Sequence, residues 1–178
     1  MGISDWWCSP PEIAQPLYGF WGVTCVDPCS NPSSIIKAHL AMTEGGLVRP
    51  WYIPAGHPAH KLRERPGDHV ATAYENPPYS VGDPWAQKAI HEVNSDHVDE
   101  LIRLTMMSTS TAWWASVCYD MRRNPRILGL QRLRFIDPRT GRQGSACRFE
   151  PALTYVGPRP ELFTREFSHL TRWSTWGR

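Results

Sequence analysis

The sequence predicts a mainly α chain with long irregular Pro- and Trp-rich arms, one central candidate transmembrane helix, a C-terminal β-hairpin and an amphipathic C-terminal helix, rather than an independent globular fold. Three observations carry this expectation. The 178 residues include 17 Pro, about twice the usual share, and 9 Trp, so large anchors alternate with backbone breaks. Aromatic residues make up 11% of the chain, more than a disordered segment carries, because disordered chains lack the apolar groups that offset the entropy of ordering. The stretch 104–119 contains no charged residue.

The elements follow in order. Pro10, Pro11, Pro16, Pro28 and Pro32 interrupt residues 1–32, which reads as an extended segment whose rings seek pockets elsewhere. Over 33–44, Ile35, Ile36 and Leu40 recur at helical spacing between Ser33 and Gly45-Gly46, the start and stop signals of a short helix. Pro50, Pro54, Pro58, Pro66, Pro77 and Pro78 then break 47–82. A structureless stretch of that length suits a chain draped over a neighbour. Residues 1–82 thus form an extended arm.

At Asp83-Pro84-Trp85 a capping residue precedes a proline at the first helical position. Trp85, Ala89, Ile90 and Val93 then share one face, and the helical segment is expected over 83–123. Within it, 98–122 is the candidate membrane helix. Its uncharged run falls just short of the ~17–25 residues that cross a bilayer. Trp113, Trp114 and Tyr119 sit where an interfacial belt would lie. A buried helix of a water-soluble core remains the other reading.

Residues 124–178 read as an Arg-rich hairpin and a docking helix. Runs at 127–136 and 142–149 flank Asp137-Pro138-Arg139-Thr140-Gly141, which fits a type I turn with a glycine bulge. Arg132 and Arg134 alternate with Leu133 and Phe135, giving a basic and an apolar face. Leu162, Phe163, Phe167, Leu170 and Trp173 mark the helical stripe of the tail.

The net charge is only +2, but it is unevenly spread: residues 1–103 carry seven cations and twelve acids, and 104–178 carry twelve cations, all Arg, and five acids. If 98–122 spans a bilayer, the positive-inside rule keeps the Arg-rich half on the cytoplasm-like or matrix-like side. Arg122, Arg123, Arg126, Arg132 and Arg134 are candidate contacts for anionic lipid of the cardiolipin kind or for a neighbouring subunit. RNA phosphates would suit the same spacing. Interspersed Asp120, Asp137 and Glu150 weigh against nucleic acid as a partner. No basic residue precedes Lys37, so no cleavable leader is expected.

The cysteines Cys8, Cys25, Cys29, Cys118 and Cys147 are odd in number. Structural thiols are the first reading, a disulfide among Cys8, Cys25 and Cys29 the second, and a metal site, lacking a fourth ligand, the third. His57 and His60 flank Pro58, and His91 and His97 are six residues apart, which assigns them to different helix faces. No metal site is expected. Phosphate-cradling loops, nucleophile elbows and haem attachment signals do not occur. The sequence therefore predicts no catalytic residue, no cofactor and no enzymatic activity.

Asp83-Pro84-Trp85-Ala86-Gln87-Lys88, opening a helix that leads toward the uncharged run, resembles the D-P-W-A-R-N run of a small accessory-subunit family of mitochondrial complex I. The resemblance covers six residues. It implies a non-catalytic subunit of the mitochondrial inner membrane with one membrane helix, bracing the other subunits of a large respiratory assembly. In that setting Trp6, Trp7, Trp21, Trp51, Trp85, Trp173 and Trp176 are candidate interface anchors, because a large ring buries much area with few rotors. The alternatives are an organellar ribosomal protein whose Arg-rich hairpin touches RNA, and a viral structural protein woven among its own copies.

Overall fold

A strand that is buried on both faces has no polar side to show, and this chain contains several. In the computed structural model, which describes residues 6–53 and 71–175, seven strands form one mixed sheet. They are β1 (Thr24–Asp27), β2 (Ala38–Ala41), β3 (Thr72–Glu75), β4 (Glu100–Met106), β5 (Arg126–Leu130), β6 (Pro151–Val156) and β7 (Thr171–Thr175). Their spatial order is β2-β1-β3-β4-β6-β5-β7. The first four run parallel, with Val26 opposite Ala73 and Glu75 opposite Arg103. β6 lies antiparallel between β4 and β5, and β7 pairs antiparallel with β5.

Side chains alternate across this sheet, as the pleat requires, and each face is covered by helices. On one face Tyr74, Ile102, Leu104, Leu128, Leu153 and Tyr155 pack against α1 (Pro11–Trp21) and α4 (Pro160–Glu166), through Ile13, Leu17, Phe20 and Phe163. On the other, Val26, Ala73, Leu101 and Val156 meet α2 (Gly82–Asn94) and α3 (Ala112–Tyr119), through Trp85, Ala89, Ile90, Val93 and Val117. Burying one such aliphatic or aromatic side chain contributes about 1.5–3 kcal/mol, so the chain's own helices supply a core on both faces of the sheet.

The architecture is α/β, which corrects the mainly α, non-globular expectation. The candidate membrane helix at 98–122 is β4, a turn and α3. A central strand covered on both faces reads as a continuous apolar run, and periodicity alone does not separate it from a buried helix. Eight-residue α3 is about 12 Å long, against a hydrocarbon core of about 30 Å. Among the described residues no helix is long and apolar enough to cross a membrane.

The helix expected at 33–44 is instead β2, because backbone pairing to β1 at Thr24–Ala38 and Val26–Leu40 overrides the weak helical spacing. The supposed extended arm holds α1, with Pro11 in its first turn and Pro16 inside it, followed by three strands of the sheet. The docking helix is short α4, a 3₁₀ turn at Ser168–Leu170, and edge strand β7. The hairpin is also different: β5 pairs with β6 and β7, not with 142–149. Residues 131–149 leave the sheet and double back on themselves. Asp137 N–H donates to Arg142 O (2.9 Å), Gly144 N–H to Phe135 O (2.9 Å) and Cys147 N–H to Leu133 O (2.9 Å). Gly141, at φ 68°, makes the reversal.

Candidate active site

The chain leaves β1 toward β2 and returns on the other side of β1 as β3. In an open α/β sheet this reversal spreads the carboxyl ends of neighbouring strands apart, and ligands bind in the resulting crevice. Here the crevice is a cavity of about 440 Å³. It is walled by Asp27-Pro28-Cys29-Ser30-Asn31 after β1, 42–48 after β2, Asn76 and Pro78 after β3, the N-terminal Trp6–Ser9 segment, and Trp85 of α2.

The first wall is built around Asp27. Its side chain is 3% exposed, its Oδ1 accepts the Cys29 N–H (3.1 Å), and its carbonyl accepts the Met42 N–H (2.8 Å). Burial pushes its carboxyl up to about 7, partly offset by hydrogen bonds from Cys29 and Ser30. The second wall depends on close approach: a Cβ on Gly46 would lie 2.0 Å from the Pro28 carbonyl, so only glycine fits. Trp51 Nε1 donates to Gly46 O (2.7 Å) and Trp51 N–H to Glu92 Oε2 (2.8 Å), pinning this loop from beneath. The Trp85 ring stands beside Gly46, and its indole N–H is buried without a hydrogen-bond partner.

The third wall is the run Asn76-Pro77-Pro78-Tyr79, which follows β3 directly and leads through one 3₁₀ turn into α2. Asn76 Nδ2 donates to Trp7 O (3.2 Å), and its Oδ1 accepts the Tyr79 hydroxyl (3.0 Å). Two prolines in succession fix φ twice and carry no N–H, so the loop is stiff and its middle offers only carbonyl acceptors. The Tyr79 ring meets Phe149 at 5.0 Å and Phe135 at 6.0 Å, both edge to face. Burial pushes its hydroxyl well above the ordinary value. Tyr74, one turn of the pleat earlier, shares a 2.6 Å hydrogen bond with Ser9, tying the N-terminal wall to β3.

Beneath this loop lies a buried ion pair. Glu75 and Arg103 face each other across β3 and β4, with Oε2–Nε at 2.8 Å and exposures of 0% and 1%. Burial raises the Glu75 carboxyl, and the guanidinium pulls it back. Arg103 also lies over the Trp113 ring, 5.4 Å from its centroid.

The residues singled out from sequence are scattered. Cys8 and Cys29 line the cavity and Cys25 does not; no disulfide joins them. The Cys8 thiol lies 3.3 Å from Asn31 Oδ1, and burial pushes both the Cys8 and the Cys29 thiols up. Arg122 pairs with Asp96, Arg123 donates to Asp99 O (3.0 Å), and buried Arg126 lies 3.6 Å from Glu161. Arg132 and Arg134 are exposed.

Of the indoles, Trp51 and Trp85 are buried in the chain's own core, while Trp6 and Trp173 are 49% and 37% exposed. Trp7 and Trp21 are half-buried against that core. Trp176, like His57 and His60, lies outside the described residues. His91 and His97 are not on different faces of one helix: α2 ends at Asn94, before His97. The chain turns at Asp96 (φ 59°) and brings their rings to 6.1 Å, with His97 Nδ1 2.9 Å from Glu92 Oε2. Glu92 also binds Lys88 and the Trp51 N–H, so its oxygens are already committed.

The Asn-Pro-Pro-Tyr run escaped the sequence reading, where its prolines counted only as breaks. Its signal was positional: the short run 70–75, Val-Ala-Thr-Ala-Tyr-Glu, ends directly in an amide and two prolines ahead of an aromatic residue.

A cavity at the topological switch point of a doubly covered α/β sheet, with acids on one wall and a rigid acceptor loop on another, defines a ligand-binding α/β protein of the kind that houses enzymes. The profile of the DNA N-6-adenine-methyltransferase (Dam) family matches residues 2–158. The chain belongs to that family. Comparisons with curated proteins and with solved structures gave no match. Family membership overturns the respiratory accessory subunit, with its inner-membrane location and its membrane-complex and lipid partners, together with the ribosomal and viral-structural alternatives. It also replaces a non-catalytic chain by a member of an enzyme family, and an expected avoidance of nucleic acid by a family that acts on DNA.

Proposed function

We propose that this chain transfers a methyl group to the N6 amino group of adenine in DNA, and that the switch-point cavity holds the methyl donor. The observation that carries this reading is the Asn76-Pro77-Pro78-Tyr79 loop at the mouth of that cavity.

The acceptor chemistry sets the requirement. The N6 lone pair is delocalised into the adenine ring, so the amine is a poor nucleophile until acceptors hold its N–H groups and draw the lone pair out of conjugation. Asn76 Oδ1 has two lone pairs. One takes the Tyr79 hydroxyl and the other is available for an N6 hydrogen. Pro77 and Pro78 offer no N–H that would compete for that acceptor. As the N–C bond forms, the donor's methyl–sulfur bond breaks and N6 releases one proton, which passes to water. Trp7, whose carbonyl holds the Asn76 amide, fixes which edge of that amide faces the base.

Adenine inside a duplex cannot reach such a recess. Enzymes that modify a base swing it out of the stack and read it by hydrogen bonds and aromatic contact. Half-buried Tyr79 and Phe149, in edge-to-face contact beside Asn76, are the aromatic rings nearest this loop.

A sulfonium donor, S-adenosylmethionine in biology, supplies an electrophilic methyl group at neutral pH. The cavity's donor set suits it. Asp27, Ser30, Asn31 and Glu44 offer acceptors for an ammonium and ribose hydroxyls, Met42, Leu47 and Trp85 an apolar slot for a ring, and the orphaned Trp85 indole N–H a donor.

The test is incubation of the purified chain with adenine-containing duplex DNA and S-adenosylmethionine, with N6-methyladenine read by mass spectrometry. Asn76→Ala is expected to lower the turnover at saturating substrates by about 10²–10³-fold, the usual effect of removing one positioned polar group. A wild-type chain that binds the donor but forms no N6-methyladenine refutes the reading.

A further inference from the structure

We infer that the excursion 131–149 between β5 and β6 is the arm that grips the DNA backbone beside the cavity, through Arg132, Arg134, Arg142 and Arg148. This inference rests on the proposed methylation of DNA. It adds which surface carries the duplex.

Most of the described arginines outside this segment are engaged within the chain. Arg103 pairs with Glu75, Arg122 with Asp96, Arg159 with Glu100, Arg165 with Glu166 and Arg172 with Glu150. Arg139 is neutralised by Asp137 at 2.7 Å. Arg132, Arg134, Arg142 and Arg148 are exposed and have no ion-pair partner among the described residues. Four exposed cations concentrated in one short segment make a local positive patch that attracts anions. Phosphates repeating along a duplex are such an anion.

The segment is also fixed against the catalytic loop at three points. Leu133 and Phe135 are buried while their neighbours Arg132 and Arg134 face outward, so the alternation orients the guanidinium groups. Phe135 and Phe149 contact the Tyr79 ring. Gly144 lies under the Trp7 indole so closely that a Cβ would come within 2.4 Å, and the Trp7 carbonyl holds Asn76. An arm anchored at Tyr79 and Trp7 carries its charges to the rim of the recess that receives the base. Phosphate contacts position a duplex without reading its sequence.

The experiment measures binding of duplex DNA over a salt series by fluorescence anisotropy. The wild-type chain is expected to show a log–log slope that falls by about 0.9 for each phosphate contact removed. Replacing Arg132, Arg134, Arg142 and Arg148 together by Ala should therefore lower the slope by roughly 3–4 and weaken binding by at least about tenfold at moderate salt. Arg165→Ala, which removes a paired surface charge, should keep the wild-type slope. If the quadruple variant fails to fold, Arg132→Ala and Arg148→Ala are read singly, each with a slope lower by about 0.9. A folded quadruple variant with the wild-type slope overturns the inference, as does a wild-type chain that does not bind duplex DNA. Methyl transfer is scored separately: DNA binding through this arm without N6-methyladenine upholds the arm and sinks the methylation, and methylation with an unchanged slope does the reverse.

Discussion

Replacing Asp27 by Asn should remove a pH-dependent weakness that the wild-type fold carries at neutral pH. Asp27 is 3% exposed, and burial raises its carboxyl from 3.8 to about 7. A carboxyl raised on folding binds its proton more tightly in the native state than in the unfolded chain. Its contribution is therefore complete below the unfolded value of 3.8 and is lost as pH rises through about 7. At 1.36 kcal/mol for each pH unit across the interval from 3.8 to about 7, the loss is about 4 kcal/mol. Asp27→Asn has the same shape, still offers Oδ1 to the Cys29 N–H, and does not titrate. Urea unfolding of both proteins, followed by circular dichroism from about pH 4 to about pH 8, gives the difference in unfolding free energy and cancels every other titrating group. The variant should gain on the wild type by about 4 kcal/mol over that range. A difference that stays flat, or that moves in favour of the wild type as pH rises, refutes the reasoning.

Other outcomes follow from the same geometry. Arg103→Met leaves Glu75 buried without its partner and should cost about 3–5 kcal/mol in urea unfolding, whereas adding Glu75→Gln in the same chain should restore much of that loss; equal stabilities for the single and double variants would contradict this. Gly46→Ala places a methyl 2.0 Å from the Pro28 carbonyl, where no side chain can move aside. It should lower the melting temperature and abolish donor binding in calorimetric titration, and wild-type affinity would show that the wall is more yielding than described.

Local signals in this sequence were legible where backbone chemistry dictates them. Asp83-Pro84 fall in the first turn of α2, one residue past its start at Gly82, although the helix ends at Asn94 rather than 123, and Asp137 to Gly141 make the reversal that their turn chemistry requires. The sheet was not legible. β4 and β6 are buried along almost their whole length, so neither shows the alternation that marks a half-exposed strand, and β1, β2 and β3 have four residues each, too few to outweigh neighbouring prolines. Trp51 and Trp85 looked like rings awaiting a partner because pairing among core residues far apart in the chain leaves no local trace. Their partners are each other, at 6.4 Å, together with the Gly46 carbonyl. The candidate site needs residues from 7 to 149 to converge; its one contiguous string, Asn-Pro-Pro-Tyr, was passed over because its prolines read only as breaks.

The insertion of β6 between β4 and β5 bears on how the polypeptide is made. Synthesis runs from the N-terminus, so β1 through β4 can align once Met106 has emerged, while β5 has no seat beside β4 until residues 151–156 arrive. Until then β4 is an open edge whose Leu101, Ile102 and Leu104 have no cover from β6, a template for pairing with the wrong chain. A nascent chain stalled within the arginine arm is thus at its most adhesive, and ribosome release of the last strands is what closes the sheet.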